Sequence, residues 1–136
     1  MVKSDKSNIK KYFEDIEGYV WFLETMIDVI KRDVEDADVE QPPLNAREVK
    51  FMQGNLERIL KLVKRILRQV EKDNPLEEIN MKILIKATLY QECAIRILSK
   101  VEGLGVVKGK AALQTFKSII DDFKGLKEAS LMNIDI

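Results

Sequence analysis

Seven apolar residues, Val49, Met52, Leu56, Ile59, Val63, Ile66 and Val70, recur at intervals of three and four without a break. At 100° per residue, that spacing lays a single apolar stripe along a helix. Leu60 and Leu67 widen it to the breadth a core-facing helix needs. A chain with this stripe must find other apolar faces to cover it, and three further segments supply them. Ile9, Phe13, Ile16, Val20, Leu23, Ile27, Ile30 and Val34 keep the same alternation in a first helix, with Tyr12, Tyr19 and Met26 as a second column beside them. A seam this regular suits either a coiled coil or one wall of an antiparallel bundle. Four such segments in one short chain favour the bundle.

Punctuation between the segments fixes the expected boundaries. Asp5 or Ser7 caps a first helix running to about Glu35, and the acidic run with Pro42-Pro43 ends it. Asn45 caps the second helix, with Glu48 as its capping-box acid. Gly54, on the polar side, is expected to let a neighbour approach. Asn74 is expected to cap the third helix, with Pro75 at its first position and Glu77 completing a capping box. So short a connection turns the second and third helices antiparallel.

The third segment, from Leu76 to about Val101, is apolar around much of its circumference and reads as the most buried helix. After a glycine-rich loop over residues 102–110, a last helix from about Ala111 to Ala129 turns Leu113, Phe116, Ile119, Ile120, Phe123 and Leu126 inward, with a tail expected to fray unless Leu131, Met132 and Ile134 pack on a neighbour. Trp21 and Phe22, at the edge of the first seam, are expected to pack rather than to serve as a stacking platform. The expected fold is all-α, an antiparallel bundle of four long helices in one domain over residues 1–136. With 46% hydrophobic and 34% charged residues, the composition is that of a globular helical chain and not of a disordered one.

Opposite the apolar stripe of the second helix runs a second series, Arg58, Lys61, Arg65, Arg68 and Lys72, bordered by Lys64. Between Asn45 and Lys72 the chain carries eight Lys/Arg against three Glu, whereas a merely solubilising face mixes signs so that i,i+4 pairs offset repulsion. The face is either a solvated surface or the contact for an anionic partner, nucleic acid or an acidic protein surface. Arg96 and Lys100, a pair on the third helix like Lys82 and Lys86, extend the candidate nucleic-acid-binding set. Net charge is zero, yet residues 1–41 balance at −5 and residues 42–72 at +5. The acidic first helix (Glu14, Asp15, Glu17, Glu24, Asp28) and the basic second one can attract within one chain or dock head to tail between copies.

Catalytic chemistry finds little to work with. There is no histidine, the commonest general base and metal ligand, so neither a metal nor another cofactor is expected. The single cysteine, Cys93, sits among apolar residues and reads as a buried small hydrophobe. GVVKGK, at residues 105–110, fails as a phosphate loop: three residues instead of four separate Gly105 from Gly109, Ala111 stands where Ser or Thr is needed, and no strand precedes it. Adjacent carboxylates such as Asp121 and Asp122 point about 100° apart on a helix and form no shared dyad. The expectation is a protein that is not an enzyme. No apolar run approaches the ~20 residues of a membrane span and no signal-peptide pattern opens the chain, which places it in the cytoplasm by default.

Over roughly residues 55–124, the order of features resembles the small all-helical subunit of type III CRISPR Csm effector complexes. Leu56, Arg58, Leu60 and Leu62 in LERILKL correspond to that family's leucine-and-basic helix. Tyr90-Gln91 in LYQECAIR corresponds to its Tyr-Gln-x-Gly-Arg segment, and Leu113-Gln114-x-Phe116 to its final Leu-Gln-x-Phe run. Cys93-Ala94 stands where the family has Gly-Arg, and Arg96 is out of register. The resemblance implies a non-catalytic RNA-binding subunit that stacks beside a guide–target duplex and contacts the backbone of the target strand. Its partners would be RNA, further copies of itself and the other subunits of the complex, with no membrane. A helical adaptor or homo-oligomeric scaffold with no nucleic-acid role is the alternative the residues leave open.

Overall fold

The computed structural model describes residues 6–36, 42–74 and 76–136, with backbone alone for 33–36. It consists of four helices: α1 (Ser7–Asp36), α2 (Ala46–Glu71), α3 (Glu78–Val101) and α4 (Lys110–Leu131). A single 3-10 turn, Glu102–Gly105, continues α3. Consecutive helices pack against one another, α3 is the hub between α2 and α4, and α1 closes the bundle against α4 along its loosest wall. Cross-helix contacts fix the directions. Lys6 at the start of α1 meets Asp73 beyond the end of α2, and Lys100 near the end of α3 meets Asp122 in α4. The order is up-down-up-down, the antiparallel bundle the periodicities imply. No helix among the described residues is long and apolar enough to cross a membrane.

The seams close on one core. Ile9, Phe13, Ile16, Val20, Leu23, Ile27 and Ile30 of α1 are all buried, as are Val49, Met52, Leu56, Ile59, Val63, Ile66 and Val70 of α2. Tyr12, Tyr19 and Met26 pack beside them as the expected second column, while the side chain of Val34 lies outside the described residues. At the start of α2, the Asn45 side chain accepts from the Glu48 N–H and the Glu48 carboxylate from the Asn45 N–H, both at 2.8 Å. That reciprocal pair satisfies two donors the helix itself leaves orphaned.

Other expectations give way. Asp5 lies outside the described residues, and Ser7 is the first residue of α1 and not its cap. Nor does Asn74 cap a helix. Its Oδ1 accepts from the Leu76 N–H at 3.0 Å, and its carbonyl takes both the Glu77 N–H and the Asn80 amide, so α3 starts only at Glu78. Asparagine offers the backbone an Asx turn as readily as a cap, and here the turn wins; Pro75 lies outside the described residues. Trp21 and Phe22 stack edge to face with centroids 5.3 Å apart, but they stand 60% and 47% exposed, turned away from the seam. The third helix is the most enclosed, with nine of its 24 residues buried, yet its outer side is not polar as a finished surface would be: Met81, Ile85 and Ile95 face solvent there. The tail after α4 is not loose either, because Ile134 and Ile136 fold back onto the core.

Glycines divide in an unexpected way. A side chain at Gly54 would meet nothing, whereas at Gly125 it would strike the Cys93 sulfur. The close approach of two helices is therefore between α4 and α3. Gly109, at φ +87°, supplies the left-handed turn from which α4 starts.

Tyr90 lies fully buried at the centre of α3, its hydroxyl 2.8 Å from Ser130 Oγ. Burial pushes its phenol well above the ordinary 10.0, and burial likewise pushes the Cys93 thiol above 9.0. In the unfolded chain both groups ionise at their ordinary values while the folded chain still holds the protons. The folded state then binds more protons, and stability falls as pH rises through 9.0 and 10.0. Lys86 works the other way, since desolvation lowers its pKa below 10.5 against a partly offsetting Glu17, and stability rises with pH between that lowered value and 10.5. Urea midpoints measured from about pH 8 to pH 11 should decline, and Tyr90→Phe should flatten the limb above pH ~10 while losing about 1 kcal/mol at neutral pH with the Ser130 hydrogen bond. An unchanged limb in Tyr90→Phe would put its origin elsewhere.

Candidate nucleic-acid interface

The stripe that buries α2 also determines where its cations go. With Val63 and Ile66 at 0% exposure on one side, Arg58, Lys61, Lys64, Arg65, Arg68 and Lys72 emerge on the other, and all six are exposed. They occupy an arc of about 120° and cover ~21 Å of helix at 1.5 Å per residue. Among the described residues, none of the six makes an ion pair with a carboxylate. The charged end of Arg58 lies over the Tyr19 ring of α1, 5.8 Å from guanidinium carbon to centroid. That cation–π contact orients the guanidinium without neutralising it.

The face is longer than the series beginning at Arg58. Lys50 and Arg47 are exposed on the same side about two and three turns earlier, bringing the stripe to about 38 Å. Phe51, 42% exposed, stands beside them, so an aromatic ring does border the N-terminal half of this surface. The open space over Gly54 lies between the two halves. The same three–four rhythm, carried back from Arg58 through Gly54, reaches Lys50 and Arg47, and that signal was available in the sequence.

The two residues on α3 do not join this surface. Lys100 is held inside the chain, its Nζ 2.6 Å from Asp122 Oδ2 and 2.7 Å from Ser118 Oγ, both on α4. Arg96, one turn earlier on the same side, is exposed but flanks α4 and not α2. The cationic pair Lys82 and Lys86 is split as well. Lys82 bonds Glu78 at 3.3 Å on the outside, while Lys86 is buried, donating to the Met132 carbonyl at 2.8 Å with Glu17 at 3.6 Å and the Phe13 ring centroid at 4.8 Å.

Two of the five acids of α1 are likewise used at home. Glu17 faces Lys86, and Glu24 pairs with Lys127 of α4 at 2.8 Å, a bond that raises the Lys127 pKa. Attraction within one chain thus joins α1 to α3 and α4 and leaves the α2 face out. Glu14, Asp15 and Asp28 are exposed and make no ion pair among the described residues, so a head-to-tail dock with the α2 cations of another copy would draw on those three.

No family model, curated protein or solved structure matches the chain. The residues that carry the resemblance to the Csm small subunit divide by environment. Leu56, Leu62, Tyr90 and Phe116 are buried in the core, whereas Arg58 projects outward. Most of that pattern therefore reports bundle packing, and only Arg58 and Gln114 stand exposed at the surface. The face is predominantly cationic, with Glu57 inside its arc and Glu71 at its edge, both exposed, and such a face can hold an extended polyanion by its charges without reading its bases.

Proposed function

We propose that this chain is a non-catalytic RNA-binding subunit of a ribonucleoprotein assembly, of the type III CRISPR effector kind it resembles, which grips a nucleic-acid backbone along α2. One observation carries the reading: six exposed cations lie in a single arc over ~21 Å of one helix, and none of them is paired with a described carboxylate. A surface kept only for solubility gains nothing from concentrating one sign and loses by self-repulsion. The set that would contact RNA is Arg58, Lys61, Lys64, Arg65, Arg68 and Lys72, with Arg47 and Lys50 extending it; Lys100 drops out because Asp122 already holds its ammonium.

The test is a filter-binding titration with single-stranded RNA. Engaging three or four phosphates gives a log–log salt slope of roughly −2 to −3, at about −0.7 per contact, with little sequence preference. Arg65→Glu with Arg68→Glu should lower affinity at least about a hundredfold at low salt, taking roughly 1.4 kcal/mol or more per reversed contact, while the helical circular-dichroism signal stays unchanged. Wild type that fails to retain RNA at ~50 mM salt, where counterion release favours binding most, would instead support an adaptor that docks an acidic protein.

A further inference from the structure

A bundle that had finished burying its apolar surface would present polar residues on the outer side of α3. Instead Met81, Ile85 and Ile95 stand 50%, 57% and 51% exposed there, at intervals that keep them on one face. Beside Ile85 lies a shallow depression of about 380 Å³ lined by Leu84, Ile85, Thr88, Leu89 and Glu92. An isoleucine and a hollow of that kind on the same stripe can serve both halves of one contact, which is what an isologous interface demands.

The charges on this face select the partner. Glu78, Lys82 and Arg96 border the stripe and Glu92 stands within it, and all four are exposed. Reversing α3 against itself about residue 87 sets Glu78 opposite Arg96 of a second copy, Lys82 opposite its Glu92, and Ile85 opposite its Leu89. All four charges find a complement in that one register. Parallel alignment would instead set each charge against its own kind, which is destabilising. The Glu78–Lys82 pair seen within one chain is a surface contact, weak enough to exchange partners.

We infer that the outer face of α3 is a self-association surface, on which two copies of this chain pair antiparallel about a two-fold axis near residue 87. The axis runs perpendicular to both α3 helices, so each flank of the bundle keeps its side. Lys100 and Cys93 place α4 on one flank of α3, and α2 lies on the other. Both basic α2 faces therefore look out from the same side of the dimer, running in opposite directions. The dimer itself does not depend on whether those faces meet RNA.

Sedimentation equilibrium of the full chain tests this. Wild type should reach a dimer mass at tens of micromolar, and Ile85→Asp, at an exposed position that leaves the core intact, should sediment as a monomer with unchanged helicity. Glu92→Lys should also dissociate the pair by placing two lysines together, and adding Lys82→Glu to it should restore the dimer. Wild type that stays monomeric at hundreds of micromolar would overturn the inference, as would a dimer indifferent to Ile85→Asp. A double variant that remains monomeric would overturn the antiparallel register.

Discussion

Ile97→Asp should abolish cooperative folding, so that thermal melts followed by circular dichroism show no transition where wild type shows one. Ile97 shares the inner face of α3 with Tyr90 and Ala94, and all three are at 0% exposure. An aspartate there loses the apolar burial of the isoleucine, about 1.5–3 kcal/mol. It must in addition either strand a charge or protonate in surroundings with no partner for it, at several kcal/mol more. A domain whose whole stability is about 5–15 kcal/mol does not survive both terms comfortably. Ile97→Val is the control, expected to cost about 0.5–1.5 kcal/mol and to melt cooperatively. If Ile97→Asp melts like wild type, α3 has been given the wrong inner face.

The second large effect concerns Gly125. Glycine inside a helix costs about 1 kcal/mol against alanine, and α4 accepts that cost where its backbone passes the Cys93 sulfur of α3. Gly125→Val should destabilise by about 1–3 kcal/mol through overpacking, because the sulfur belongs to a short buried side chain with little room to turn aside. Cys93→Ala removes the obstruction and should recover much of that loss in the double variant. The two substitutions would then be strongly non-additive in a denaturant double-mutant cycle. Additive effects would mean that the two helices do not approach one another through this pair.

The difference between Gly125 and Gly54 explains why part of this molecule was legible in its sequence and part was not. Local period and local chemistry were enough for the seams of α1 and α2, for the Asn45–Glu48 capping box and for the outward direction of Arg58 to Lys72. Each of these depends on neighbours within about a turn. Gly54 looked like the contact glycine because it interrupts a regular helix, yet nothing faces it. What makes Gly125 necessary is a cysteine on another helix, and no spacing rule links the two positions. Lys100 and Lys86 failed as surface cations for the same reason: their partners, Asp122 and the Met132 carbonyl, are 22 and 46 residues away. Trp21 and Phe22 are a subtler case. Their type suggests burial, while their angle, some 140° and 240° from Ile16, sends them outward, and the angle decides.

The up-down-up-down order has a consequence for how the chain reaches this state. Nearly every well-packed wall joins helices that are consecutive in sequence, so each forms by closing a short hairpin, and loop-closure entropy rises only slowly with length. The one wall that joins the ends of the chain, α1 against α4, is also the least packed. The long-range closure with the greatest entropic cost thus carries the smallest share of the stabilising contact. A molecule arranged this way draws most of its packing from hairpins that close locally, α1–α2 among them, the arrangement that favours fast folding.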